Sequence, residues 1–243
     1  MIEFGRSHLQ PPLVAVIDSG WDCSVREPRV AQGLGYHRSG RKVHRTLDYH
    51  DRLGHGSAVA SILLLMAPGA RLIPLRVFGT NRETDPVLVA AAIRDAAALG
   101  ARVINLSLST QRPAAEPILS AACAEAIAAG CALVASQPRG RGQSWPASCK
   151  GVIAVEAAPE SASPFYGISS GSPGVFCADA GSDRFLQVGR RRIRRQHASA
   201  AAPMIAALAL GLLAREPGLS HSQVETRLRE YLTERLSRAP PSS

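Results

Sequence analysis

Residues 71–108 read RLIPLRVFGTNRETDPVLVAAAIRDAAALGARVINLSL, and this stretch decides the fold. Arg71–Phe78 is an apolar run that reads as a strand, with Pro74 pointing to an edge or irregular position. Pro86–Gly100 reads as a helix, because proline suits its first turn and glycine its end. Arg102–Leu108 is a second β-branched run. Strand, helix and strand in such quick succession make a crossover unit whose strands run parallel.

The same alternation continues on both sides. Upstream, Leu13–Ile17 is a short buried-strand pattern that ends in the turn Asp18-Ser19-Gly20, and His55–Met66 is a helix with an apolar face. Downstream come a helix at Pro117–Gly130, strands at Cys131–Ser136 and Val152–Ala157, and helices at Ser199–Arg215 and Ser220–Leu236. Segments 21–52 and 158–196 carry little periodicity and read as irregular. The pattern implies an α/β fold, a doubly wound and mostly parallel sheet with helices on both faces. One domain is expected over residues 13–236, with an N-terminal extension at 1–12 and a disordered tail at 237–243.

Composition narrows the function. A chain of 243 residues with 46% hydrophobic and 19% charged residues is an ordinary globular protein. Five cysteines, an odd number without a CxxC pair, read as reduced thiols. Met1–Pro12 is short and polar and the first apolar run, Leu13–Ile17, has only five residues, against the ~7–15 of a secretory signal and the ~20 of a membrane span. A cytoplasmic chain without membrane contact is expected. The net charge of +9 favours acidic partners. Nearly all basic residues are arginine, Lys42 and Lys150 being the lysines, and base composition alone can produce that skew. A nucleic-acid binder using Arg190–Arg195 would need aromatic platforms for single strands. Aromatic residues are only 5% of the chain, and none stands beside those arginines, so no nucleic-acid partner is expected.

Three residues stand in contexts that suit acid–base and nucleophilic work. Asp18 ends the strand in VAVIDSG (14–20), where a carboxylate is held rigidly and partly buried. As a plain turn residue it would suit that place equally. His55 lies in GHGSAVASIL (54–63), between two glycines that allow a tight turn at a helix start. Ser199 opens the helix in HASAAAPMIAALAL (197–210). There it is either an ordinary N-cap or an alcohol aimed at a substrate carbonyl, with the helix dipole favouring developing negative charge. No paired His/Cys spacing or Asp-rich loop calls for a metal, and no cofactor is implied.

In this order the residues resemble the subtilisin-like serine peptidases, or subtilases, whose triad runs Asp, His, Ser. The family's Asp-Ser/Thr-Gly matches residues 18–20. Its His-Gly-Thr-x-Val-Ala matches HGSAVA (55–60), with serine for threonine. Its Gly-Thr-Ser-Met-Ala-x-Pro matches at Ser199, Ala201 and Pro203, while His197, Ala198 and Ala200 replace glycine, threonine and methionine. APGARLIPLRVFG (67–79), ARVINLSLS (101–109) and PASCKGVIAV (146–155) resemble core segments of the family, so the likeness runs over roughly residues 13–214. It implies peptide hydrolysis through an acyl-enzyme, with Ser199 as nucleophile, His55 as base and Asp18 as its orienting partner. It also implies peptide contacts at Ser107, Leu108 and Ser109. The family usually has glycine where Ser109 falls, so a narrowed pocket is expected.

Two departures shape the expected substrate. In LVASQPRG (133–140) the family's oxyanion-binding asparagine falls near Gln137-Pro138, and proline has no donor. The expected oxyanion donors are therefore the Gln137 amide and the Ser199 backbone N–H, with Gln143 a poorer alternative. The cluster GRRRIRR (189–195), above all Arg191 and Arg192, is a candidate for recognising acidic side chains of a peptide or protein substrate. With the first strand beginning at Leu13, no folding pro-segment is expected, which would suit a selective intracellular enzyme. The resemblance then extends to the cytoplasmic subtilisin-like peptidases that mature the gamma subunit of quinohemoprotein amine dehydrogenase. The alternative is an inactive subtilisin-like scaffold that binds peptide without cutting it.

Overall fold

The computed structural model describes residues 12–140, 142–158, 166–168, 174–178, 185–188, 191–194 and 198–237. In chain order they form β1 (Leu13–Asp18), β2 (Leu34–Ser39), β3 (Lys42–Thr46), α1 (His55–Met66), β4 (Arg71–Arg76), α2 (Pro86–Ala98), β5 (Val103–Leu106) and α3 (Glu116–Ala128). Then follow β6 (Ala132–Ser136), β7 (Ile153–Ala157), β8 (Tyr166–Ile168), β9 (Phe176–Ala178), β10 (Phe185–Val188), β11 (Arg191–Arg194), α4 (Ala198–Arg215) and α5 (His221–Ser237). Nine strands make one sheet in the order β3-β2-β4-β1-β5-β6-β7-β9-β8. Its interior is parallel throughout, and only the outermost pairs, β2 with β3 and β8 with β9, are antiparallel.

β1 lies between β4 and β5, so the chain winds first to one side of it and then to the other. At such a reversal the loops leaving the strand ends diverge and open a crevice beyond the carboxyl ends. Asp18 is the last residue of β1 and therefore stands at its mouth.

Helices cover both faces. α1, α4 and α5 pack on one side around Leu63, Phe176 and Ile205, and α2 and α3 pack on the other around Ile93, Ile104, Leu119 and Leu133. A strand buried on both faces is apolar nearly throughout, and β1, β5 and β6 are, with Asp18, Asn105 and Ser136 as their polar members. Asp85 caps α2 by accepting from the Val87 N–H, directly before the expected Pro86.

The structure corrects several expectations. Segment 21–52 holds the β2–β3 hairpin, and 158–196 holds β8, β9 and the antiparallel β10–β11 pair. These strands are short, and β2 and β3 are largely exposed, so no buried face imposes an alternating pattern. α5 runs through Ser237, one residue past the expected domain end. β4 is interior, not an edge. Pro74 is tolerated because β4 meets residues 29–31 through Leu72 and meets β2 only from Leu75 onward. The missing N–H falls in the gap, where Gly33 packs against the ring: a Cβ there would lie 2.1 Å from the Pro74 oxygen.

At the start of α5, the buried His221 ring finds no well-formed hydrogen bond among the described residues. Burial lowers its proton affinity, against smaller opposing effects of Glu225 and the Gly151 backbone. The unfolded ring protonates first on acidification, so stability present above pH ~6.5 is lost as pH falls through the depressed folded value. His221→Leu should flatten this dependence. Urea midpoints measured between pH 7.5 and 5 check it, and identical slopes for the two proteins would refute it.

Candidate active site

β1 ends and α1 begins within contact of each other, and this junction builds the site. The Nδ1 of His55, the first residue of α1, lies 2.7 Å from Asp18 Oδ1. Asp18 is fully buried, while the His55 side chain remains 36% exposed toward the cleft. A carboxylate can only accept, so in the neutral ring this contact fixes the proton on Nδ1 and leaves Nε2 as the proton acceptor. Asp18 Oδ1 also accepts from the Ser19 N–H at 2.7 Å. The imidazole holds its proton more tightly than an ordinary histidine. The Asp18 charge is the main cause, burial opposes it, the Asp51 charge adds to it and Arg82 subtracts from it.

Close backbone approach requires glycine here. A Cβ on Gly56 would lie 2.4 Å from the Gly20 carbonyl oxygen, so any larger residue would push His55 away from Asp18. Gly54, which precedes α1, has φ of 80° and carries no side chain to cap the helix.

Ser199 enters from the other end of the chain, in the first turn of α4. Pro203 has no N–H to give the carbonyl four residues earlier, so the Ser199 oxygen lacks its helical donor. Ser107 supplies one: its hydroxyl donates to Ser199 O at 2.9 Å. Ser107 in turn accepts from the buried Asn105 amide at 3.0 Å. The start of α4 is thereby tied to the end of β5.

Asp18, His55, Ser107, Leu108 and Ser109 line one cleft of about 960 Å³. Its walls also carry Trp145, Leu119, Arg38, Arg82 and Arg112. Ser107 is buried, Leu108 half-buried and Ser109 exposed, as for a strand end that offers its backbone to a ligand. Gln137 leaves β6 with its N–H donated to Val155 O and its amide nitrogen 3.3 Å from Oε1 of the buried Glu156 on β7. Gln143 is exposed. Arg191 and Arg192 lie in β11, but their side chains, and His197 entirely, fall outside the described residues. Among the described residues no group of three or more His, Cys, Asp or Glu side chains could hold a metal.

Three contributors carried no sequence signal that was read. Asp51 sits four residues before His55, in DRLGHG. Asn105 interrupts an otherwise apolar strand, which is itself a sign of a committed polar side chain. Arg82 belongs to a polar loop that faces the cleft only because β4 and α2 are adjacent.

The profile of the subtilase family, peptidase S8, matches residues 10–239. The chain belongs to the subtilase family. Two curated relatives are a cell wall-associated protease of Bacillus subtilis, 32% identical over 112 residues, and mycosin-3 of Mycobacterium tuberculosis, 34% identical over 148. The first match covers 41% of this subtilase and 12% of the relative, the second 51% and 30%. The matched region thus spans less than a third of either relative. Similar solved structures include a lanthipeptide protease, with a TM-score of 0.70 at 20% identity over 90% of this chain and 79% of that one. A cold-adapted subtilisin-like serine proteinase gives 0.70 at 20% identity over 93% and 84%. The subtilisin-like α/β fold is common to this chain and both solved structures. Among the described residues of this subtilase no helix is long and apolar enough to cross a membrane.

Proposed function

We propose that this chain is a serine endopeptidase in which Ser199 attacks the scissile carbonyl, His55 takes and returns the proton, and Asp18 holds the imidazole. The observation that carries the reading is the 2.7 Å contact of a buried carboxylate with a cleft-facing imidazole, beside a strand end bonded to the start of α4. The Asp18 charge stabilises the imidazolium formed on proton transfer, and the Nδ1–H contact presents Nε2 to the alcohol. The extended substrate adds to the strand end at Ser107–Ser109 through main-chain hydrogen bonds. The oxyanion receives the Ser199 N–H and a Gln137 amide hydrogen. A fluorophosphonate probe tests the proposal: the wild type should be labelled and Ser199→Ala should not.

A second reading has its own observation. Pro138 offers no donor, and the Gln137 amide nitrogen is directed at Glu156. A loss of that donor costs about 2.7–4 kcal/mol of transition-state stabilisation. A chain without it would be a peptide-binding scaffold, and the wild type would then resist the probe.

The substrate we propose is acidic, on different residues from the cluster at 189–195. Arg38 in the cleft wall is neutralised by Asp85, but Arg82 and Arg112 are exposed there and form no ion pair among the described residues. Guanidinium groups on a cleft wall favour carboxylate side chains and repel cationic ones. The double variant Arg82→Glu/Arg112→Glu should lower kcat/KM for an acidic peptide relative to its neutral amide analogue by about tenfold or more, some 1.4 kcal/mol. An unchanged ratio in a two-substrate competition assay would refute this selectivity.

A slow, selective enzyme of this kind suits the removal of a leader from one peptide in the cytoplasm, as in maturation of the amine dehydrogenase gamma subunit. The odd number of cysteines supports a reducing compartment.

A further inference from the structure

Asp51 is fully buried, yet among the described residues no cation pairs with it. Its carboxylate instead accepts five hydrogen bonds. Oδ1 takes the Ser19 hydroxyl at 2.8 Å, the Leu53 N–H at 2.9 Å and the Gly54 N–H at 2.7 Å. Oδ2 takes the Ser57 N–H at 2.8 Å and the Ser57 hydroxyl at 2.6 Å. Ser19, held in this way, accepts the Gly56 N–H at 2.8 Å.

These contacts solve a local problem. An α-helix begins with N–H groups that have no helical partner, and a side chain just before it usually satisfies one. Gly54 cannot. The N–H groups on either side of His55 are instead held by Asp51 and Ser19, one before the helix in sequence and the other on the end of β1. Ser19 is also the residue after Asp18. The two groups that meet at 2.7 Å, Asp18 and His55, are therefore both attached to backbone that Asp51 grips, directly or through one hydroxyl.

We propose that Asp51 is a positioning residue: its buried carboxylate locks the end of β1 to the first turn of α1 and so sets the distance and angle at which His55 meets Asp18. This rests on the peptidase reading above for its kinetic consequence, but not for its structural one. The charge is part of the device. The groups facing His55 are Asp18 from β1, Asp51 from the loop before α1 and Arg82 from the loop after β4, and Asp51 adds to the pull of Asp18 on the ring proton.

The test compares Asp51→Asn, an uncharged isostere, with wild type in the full chain. NMR titration of the His55 ring needs no catalytic activity, and it should move to lower pH in the variant. In hydrolysis of an acidic peptide, kcat should fall on the order of 100-fold, as for a small misplacement of a reacting group, with KM little changed. Ser19→Ala keeps the carboxylate and removes the hydroxyl that links it to Gly56, and with it one of the five donors to Asp51. It should lower kcat while the His55 titration stays near that of wild type, and it serves if Asp51→Asn does not fold. A folded Asp51→Asn with wild-type titration and wild-type kcat overturns the proposal, as does a Ser19→Ala with unchanged kcat where that variant has to serve. A wild type that neither cleaves nor labels defeats the peptidase reading instead, and the titration shift then decides the role of Asp51 alone.

Discussion

Ser199→Ala should lower kcat by about 10⁶-fold and abolish fluorophosphonate labelling, with the fold intact. The scale is that of subtilisin itself, where removing the nucleophile costs about as much as removing the whole triad. Alanine has no oxygen to acylate, so the covalent route closes completely and only binding and oxyanion stabilisation remain. The fold should survive because residue 199 contributes its carbonyl, not its side chain, to the contact with Ser107. Active-site labelling, burst kinetics and a thermal melt of both proteins make the measurement. Retained labelling in a folded Ser199→Ala would mean that another nucleophile operates.

Asp18→Asn should cost about 10⁴-fold in kcat and move the acid limb of the pH profile downward. The amide keeps the shape of the carboxylate and can still accept from the Ser19 N–H. It removes the charge that most raises the affinity of His55 for its proton. Hydrolysis needs the neutral imidazole, so the rate falls below that pKa, and a lower pKa extends the plateau toward acid. Its amide N–H₂, if turned to Nδ1, would instead place the histidine proton on Nε2, the wrong nitrogen for a base. A profile of kcat/KM from pH 4 to 9 checks both effects. A wild-type acid limb in the variant would remove Asp18 from its assigned role.

Much of the architecture was legible because each central helix announces its limits. Pro86 and Gly100 bracket α2, and Pro117 and Gly130 bracket α3 within two residues. β1, β5 and β6 were legible because burial on both faces keeps them apolar at nearly every position, Asp18, Asn105 and Ser136 being the exceptions. The hairpin of β2 and β3 was not. It lies at the margin of the sheet, where pairing is set by main-chain bonds and by contacts with distant residues such as that of Tyr36 with Asp95. The candidate site divides in the same way. Asp18 and His55 stand at the end of a strand and the start of a helix, places a pattern can mark. Asp51 could not be singled out, because its five donors come from four residues on two segments that meet only after folding. The two cleft arginines could not be singled out for a related reason. A run of like charges attracts notice in a sequence, whereas Arg82 and Arg112 are far apart in sequence and share a wall only in three dimensions.

The winding of the sheet about β1 has a consequence for the making of this protein. The carboxylate and imidazole are translated early, but the alcohol belongs to a helix that completes the core against β5, β6 and β7. From position 55 to position 199 a ribosome needs roughly 7–30 s at ~5–20 residues per second. Through that interval the nascent chain carries a base with nothing to activate. On the peptidase reading proposed above, hydrolytic competence would arrive only once α4 has been made and packed, late in synthesis.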